Sequence, residues 1–190
     1  MPKNLFVLFG LLGALATGAL AQDLNFQDQT SFKFRDELIR PRRVDDKSSG
    51  VKAVVVVNTA VAEQVAFDML NQKRADNGLK PLSWSDELAT IARLHSHNMA
   101  ELKFFGHRGL DNKMVSDRAD DIGLKKWRAI GENIAYNRGY QDPIGRAVEL
   151  WLDSPSHRQN LMNSDWRETA LGVAVAEDGS YYLTQVFMRR

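Results

Sequence analysis

The chain contains no cysteine, although its first residues have the pattern of an export signal. Lys3 precedes an uncharged run from Leu5 to Leu20, and Ala19-Leu20-Ala21 has the small-x-small pattern of a cleavage site. We therefore predict a signal peptide over residues 1–21. An exported protein without disulfides has to be held together by burial of a hydrophobic core. This requirement is the strongest constraint on the fold.

The alternative interpretation of the amino-terminal run is a transmembrane anchor. A bilayer needs roughly 20 apolar residues, whereas this run is shorter and contains Gly10, Gly13 and Gly18. We expect no stable membrane anchor after cleavage, and a secreted or periplasmic destination. The net charge of +1 gives no electrostatic reason to expect nucleic acid as a partner.

The remaining chain divides into a polar segment and one domain. Residues 22–57 are predicted to be a linker or tail, with a possible short strand at Ala53–Val57. Residues 58–190 are predicted to form a single domain. Periodic apolar positions and capping residues in this domain predict five helices, over residues 58–75, 85–102, 112–122, 143–151 and 155–162.

The strands come mostly at the end of the chain. Ala170–Ala176 and Tyr181–Met188 are β-branched or aromatic runs joined by Glu177-Asp178-Gly179-Ser180, which predicts a hairpin. Because helices come first and strands mostly last, the fold class is predicted to be α+β, with helices packed on a mainly antiparallel sheet.

Two histidines flank one glutamate at equal distances. His107 lies 25 residues before Glu132 and His157 lies 25 residues after it. His107 is in a glycine-flanked turn, and His157 is at the start of a predicted helix. The apolar neighbours of Glu132 predict that it is partly buried, and a buried carboxylate needs a partner. A histidine, a metal ion or the backbone could each supply one.

The other two histidines lie on the second predicted helix. His95 falls on the apolar face with Leu88, Ile91, Ala92, Met99 and Leu102, whereas His97 points elsewhere. A single histidine on such a face is more often a hydrogen-bonded core residue than a ligand. We therefore predict that His95 supports the site from the core, and that His97 is exposed.

The order of the short motifs resembles the CAP/SCP superfamily, which includes cysteine-rich secretory proteins, antigen 5 and pathogenesis-related 1 proteins. The resemblance is to its bacterial secreted branch. It is carried by six motifs: Asn-Gly-Leu-x-Pro-Leu, Leu-Ala-x-x-Ala-x-x-His-Ser, Phe-x-His, Gly-Glu-Asn-Ile-Ala, Ser-Pro-x-His-Arg-x-Asn-Leu and a closing hairpin with Thr-Gln-x-Phe. The resemblance implies an α-β-α sandwich, with a central, mainly antiparallel sheet between helices and a cleft on one side.

In this family two histidines and two acidic residues line the cleft and can hold a divalent metal, often zinc. Matched by motif, His107, Glu132 and His157 take three of these positions. The fourth position, an acidic residue in many relatives, is Ser154 in this chain. Asp153 precedes it, but one step along a helix end turns a side chain by about 100°.

Two imidazoles and one carboxylate suit zinc or another divalent metal, with water as a further ligand. We predict that His107 and His157 are the metal ligands, and that Glu132 orients a histidine or the water. Asn133 and Arg158 are predicted to support the cleft by tying its loops together. Glu132 is the candidate catalytic residue. A serine mechanism, with Ser154 or Ser156 as nucleophile, is the least favoured alternative.

Three functions remain open at this point. The favoured one is a secreted binding module for a small apolar ligand or a partner protein. The second is a metal-dependent hydrolase that acts on peptide or cell-wall material. The third is an envelope interaction protein in which the His/Glu trio is structural.

Overall fold

A computed structural model describes residues 57–190. The predicted signal peptide and the predicted tail with its possible strand lie outside these residues, except for Val57. In chain order the elements are α1 (Thr59–Asp76), β1 (Ser83–Trp84), α2 (Asp86–Glu101), α3 (Val115–Asp121), β2 (Ala129–Arg138), α4 (Pro143–Asp153), α5 (Pro155–Leu161), β3 (Glu168–Val175) and β4 (Ser180–Arg189).

Polar side chains fix where three of the helices begin. Asn58 accepts a hydrogen bond from the Val61 amide at 3.3 Å, and Ser85 accepts one from the Leu88 amide at 3.4 Å. Asp142 does the same for the Gly145 amide at 2.8 Å. Each bond satisfies an amide that has no partner within its helix.

One predicted helix start needs correction, and another lacks its capping bond. α3 begins at Val115 and not at Asn112, whose φ of 68° lies in the left-handed region. The Asp117 carboxylate instead accepts the Met114 amide at 2.8 Å and so starts the helix there. At α5, Ser154 occupies the capping position, but its hydroxyl lies 3.3 Å from the Ser156 hydroxyl and makes no capping bond.

The four strands form one sheet in the order β1-β3-β4-β2. β4 pairs antiparallel with both β2 and β3, and the short β1 pairs parallel with β3. The predicted hairpin of β3 and β4 is confirmed. β2 was not expected from the sequence, yet it pairs with β4 over its whole length of ten residues.

Helices cover both faces of the sheet, which confirms the α-β-α sandwich. On one face Leu171 and Val173 pack with residues of α1 and α4, among them the fully buried Trp151. On the other face Ala170 and Val186 pack with residues of α2 and α3. Because neighbouring residues of a strand point to opposite faces, β3 contributes to both halves of the core.

Gly172 brings α2 into direct contact with β3. A Cβ atom at this glycine would lie 2.2 Å from the Arg93 nitrogen and 2.3 Å from the Ala92 carbonyl carbon. The Ser96 hydroxyl donates to the Gly172 carbonyl at 2.9 Å, which holds the helix in place. His95 is therefore buried as predicted, but Leu102, at the end of the helix, is 55% exposed and does not belong to the core.

Buried polar side chains connect distant parts of the chain. Glu63 of α1 accepts hydrogen bonds from Arg93 of α2 and, at 3.2 Å, from the Val173 amide of β3. Arg74, near the end of α1, donates to carbonyls in the segments after α1 and at the end of α5.

No helix within residues 57–190 combines the length and apolar character that a bilayer crossing requires.

Candidate functional site

Glu132 lies between His107 and Arg118 and is almost fully buried. β2 directs its side chain towards the α2 and α3 side of the sheet, where 3% of that side chain is exposed. One carboxylate oxygen, Oε1, lies 2.8 Å from Nδ1 of His107, and the other forms an ion pair with the Arg118 guanidinium. Both oxygens of the buried carboxylate are therefore engaged by side chains.

Arg118 was not predicted as a site residue. It lies on α3, only 6% of its side chain is exposed, and it also donates to the carbonyls of His107 and Lys113 at 3.3 and 3.0 Å. Arg118 thus fixes both the carboxylate and the turn that carries the histidine. The sequence contains a signal for it, because Val115, Arg118 and Ala119 are spaced as one helix face and all three are buried.

His107 is the accessible member of the cluster. It follows α2 in a turn, and 42% of its side chain is exposed. Because a carboxylate can only accept, Nδ1 of His107 donates in this pair, and in the neutral imidazole Nε2 is left as an acceptor. Glu132 thereby selects the tautomer of an imidazole that faces solvent.

His157 faces His107 from the first turn of α5. The two ring centroids are 6.4 Å apart and the ring planes are inclined by 41°. Burial, with a smaller contribution from the nearby His107, lowers the pKa of His157. A neutral imidazole at pH 7 retains a lone pair that can bind a metal or accept a hydrogen bond.

Amide side chains hold the histidine loops to β2. Asn133 donates to the His157 carbonyl at 3.1 Å, in agreement with its predicted supporting role. Asn160, which was not predicted, donates to the Glu132 carbonyl at 3.2 Å and to the Asn133 side chain at 3.0 Å. Arg158 is exposed, and its side chain makes no hydrogen bond or ion pair within residues 57–190, so Asn160 ties the loops in its place.

His95 supports the same turn from the core. It is 1% exposed, and its Nε2 lies 3.0 Å from the carbonyl of Gly106. Burial lowers the pKa of His95 and outweighs the opposing effect of the nearby Glu132 carboxylate. The prediction of a hydrogen-bonded core histidine agrees with this placement, and His97 is exposed as expected.

The predicted metal ligands are only partly suitable. His107 and His157 each present a nitrogen, but the Glu132 carboxylate is used by Arg118 and His107. Within the described chain no group of three or more His, Asp and Glu side chains is arranged to hold a metal ion. Catalytic zinc sites normally have three protein ligands. The two imidazoles alone therefore fall short of such a ligand set, and Glu132 lies outside it.

An aromatic strip extends from the cleft. Phe105 and Tyr136 are 52% and 40% exposed, with ring centroids 6.1 Å apart, and Tyr136 lies 5.1 Å from Tyr182 across the strand pair. Phe105 is two residues before His107, and Tyr136 is on the same face of β2 as Glu132 because the two are four residues apart. These three rings place an apolar surface beside the imidazoles.

Comparison with known proteins identifies relatives with the same domain. A Bacillus subtilis protein described as the uncharacterized membrane protein YlbC is 37% identical over 180 residues, which cover 91% of this chain and 48% of that protein. YkwD of the same organism is 31% identical over 123 residues, with 65% of this chain and 46% of that protein covered. The chain spans about half the length of these curated relatives.

A solved structure shows the same fold. It is an extracellular protein containing an SCP domain from Bacillus anthracis, with a TM-score of 0.60 and 30% identity over 75% of this chain and 45% of that one. In addition, residues 67–187 match the profile of the family described as CAP, the cysteine-rich secretory protein family. The order of motifs, the sandwich and this match agree, and the chain belongs to the CAP family.

Proposed function

We propose that this protein is an exported binding module whose cleft holds a small ligand with one polar end and an apolar body. The observation that supports the proposal best is the half-exposed His107, which a buried Glu132 orients at the end of an exposed aromatic strip. The B. anthracis relative is described as extracellular, which supports an extracytoplasmic location for this chain.

The imidazoles form the polar end of the site. Because Glu132 and Arg118 fix the tautomer and orientation of His107, its free nitrogen is ready to accept a hydrogen bond before the ligand arrives. Preorganisation of this kind lowers the cost of binding. A hydroxyl or protonated carboxyl group matches such an acceptor.

The aromatic strip forms the apolar end. Phe105, Tyr136 and Tyr182 provide rings that a ligand can cover, and burial of apolar surface contributes about 25 cal/mol per Å². The Tyr136 hydroxyl is 3.1 Å from the Ser180 hydroxyl, so the ring is held in position without a ligand.

A divalent ion such as zinc would be held by the imidazole nitrogens of His107 and His157. When bound, it would supply a Lewis acid at the polar end of the site. Because only two side chains are available, we expect weak binding that depends on solvent ligands. A zinc titration followed by NMR should shift the ring signals of both histidines. In the single variants His107→Ala and His157→Ala, the signal of the remaining histidine should shift much less.

Binding can be tested with dodecanoic acid as a probe, by isothermal titration calorimetry at pH 5 and pH 7. We expect saturable binding that is weakened about thirtyfold or more in Phe105→Ser/Tyr136→Ser, since each of the two rings accounts for about 1 kcal/mol or more of the binding free energy. Tyr140→Ser is the matched control, because Tyr140 is also exposed but packs against Arg146 outside the strip. An equal loss in the control, or no saturable binding, would contradict the proposal.

A second candidate is a hydrolase, which the His107–Glu132 pair favours. A histidine oriented by a buried carboxylate can act as a general base towards water. In that case His107→Gln abolishes hydrolysis of peptides or cell-wall fragments and leaves the unfolding free energy nearly unchanged. The alternative of a purely structural trio predicts a large loss of stability from the same substitution and no change in ligand binding.

A further inference from the structure

A cavity lies at the margin of the sheet opposite to β2. It has a volume of about 660 Å³ and is bounded by the segment after α1, by β1 and by the loop before β3. β1 is an end strand of the sheet, so the cavity opens at a sheet edge. Its size is within the range of small-molecule sites. It shares no lining residue with the histidine cleft.

The cavity lining is positively charged. Lys80 and Arg167 are both exposed at the cavity wall. Glu168 carries the carboxylate of the lining, and its Oε1 accepts a hydrogen bond from Arg190 at 2.9 Å. That carboxylate is therefore already paired with a cation from outside the lining, and the charges of Lys80 and Arg167 are not balanced by it.

A third cation lies behind the wall. Arg74 is 1% exposed and donates only to carbonyl oxygens within residues 57–190: those of Lys80 at 3.1 Å, Leu161 at 2.6 Å and Asn163 at 3.0 Å. Burial lowers the pKa of Arg74, and the positive charge of Arg167 lowers it further. The cost of this charge cluster would be reduced by an anion in the cavity.

Two tryptophans complete the lining. Trp166 is 7% exposed, and its indole nitrogen has no hydrogen-bond partner within the described part of the chain. Trp84 is half-buried and already donates its own indole N–H to Asp86 at 2.9 Å, so it offers ring surface to the cavity. The cavity thus combines exposed cations with an aromatic surface.

We propose that this cavity binds a small organic phosphate. The phosphate group lies between Lys80 and Arg167, and a ring or apolar body attached to it contacts Trp84. Charge-assisted hydrogen bonds to the phosphate oxygens provide the affinity, and the indole surface selects an ester over the inorganic ion. The site is independent of the function proposed for the histidine cleft.

The test is a titration of the purified protein with phenyl phosphate, inorganic phosphate and phenol at constant ionic strength. Indole N–H signals in ¹H–¹⁵N NMR spectra report binding, and we expect saturable shifts of the Trp166 signal. Phenyl phosphate should bind more tightly than either inorganic phosphate or phenol. Equal affinity for phenyl phosphate and inorganic phosphate, or no saturable shift with any of the three, would overturn the proposal.

Charge variants distinguish phosphate binding at this cavity from a general effect of the positive charge of the protein. Lys80→Gln should weaken phenyl phosphate binding about tenfold, and Lys80→Gln/Arg167→Gln should weaken it further. Arg138→Gln is the matched control, because Arg138 is an exposed cation at the far end of the sheet, paired with Asp178. An equal loss in the control would contradict a specific site. The single Lys80 variant keeps the bonds of Arg167 to the Ser164 and Trp166 carbonyls, so it tests the charge without altering that loop.

Discussion

Arg118 and Glu132 form a buried ion pair, and the structure predicts what its removal costs. The exposed fractions of the two side chains are 6% and 3%, so neither charge can be solvated in place when its partner is lost. In Arg118→Met the carboxylate keeps only the half-exposed His107 as a side-chain partner. Loss of one partner from a buried pair typically costs about 3–5 kcal/mol, and we expect a value in that range.

A double-mutant cycle isolates the interaction between the two residues. Glu132→Gln alone leaves the Arg118 charge buried and unpaired, whereas Arg118→Met/Glu132→Gln leaves no buried charge. The double variant should therefore lose about 2 kcal/mol less than the sum of the two single variants. The free energies of unfolding are measured by urea denaturation, with linear extrapolation to water.

The control is an ion pair of the same type on the surface. Arg138 and Asp178 are 58% and 51% exposed, and their removal should cost at most about 1 kcal/mol. The reasoning is refuted if Arg118→Met costs no more than Arg138→Met. It is also refuted if the two single losses simply add in the double variant.

Three further predictions concern residues in the interior of the domain. Gly172→Ala should lower the free energy of unfolding by about 3 kcal/mol or more in urea denaturation, because the new methyl group would meet the backbone of α2 at Ala92. The free energy of unfolding should fall as the pH decreases below 6.5. The pKa of His95 is lowered in the folded protein, so the unfolded chain binds a proton at a higher pH than the folded protein does, and protonation favours unfolding. His95→Gln should flatten this pH dependence. Glu63→Gln should cost about 2 kcal/mol by thermal or urea unfolding, because the buried carboxylate accepts charge-assisted bonds from Arg93.

The helices and the closing hairpin could be predicted because their signals are local. Asn58, Ser85 and Asp142 are capping residues that make the expected bonds in the structure. The turn between β3 and β4 is marked by Asp178-Gly179, and Gly179 has a φ of +83°, a backbone conformation that favours glycine. Such features depend on a few neighbouring residues and not on the tertiary fold.

β2 could not be recognised because its polar residues are buried. Glu132 and Asn133 lie side by side in the strand, and both have partners that come from helices or turns distant in sequence. Since helices cover both faces of the sheet, the strand does not alternate between apolar and polar residues. The pattern that normally identifies a strand is therefore absent.

The candidate site could be predicted only in part, because some of its residues are defined by contacts between distant parts of the chain. His107, Glu132 and His157 could be identified from the motifs, and the structure brings them together. Arg118 and Asn160 could not, because their role is defined by what they contact across the fold: the carboxylate of Glu132 in one case and its carbonyl in the other. The one local sign of Arg118 is that a guanidinium lies on the otherwise apolar face of a short helix.

The contact at Gly172 also matters for protein engineering. α2 carries the turn that presents His107, and β3 supports that helix through one glycine without a side chain between them. Transfer of this site to another scaffold would require α2 and β3 to be transferred together, with Gly172 included. A library that diversifies the ligand-binding surface should leave position 172 fixed, since variation there would select for folding and not for affinity.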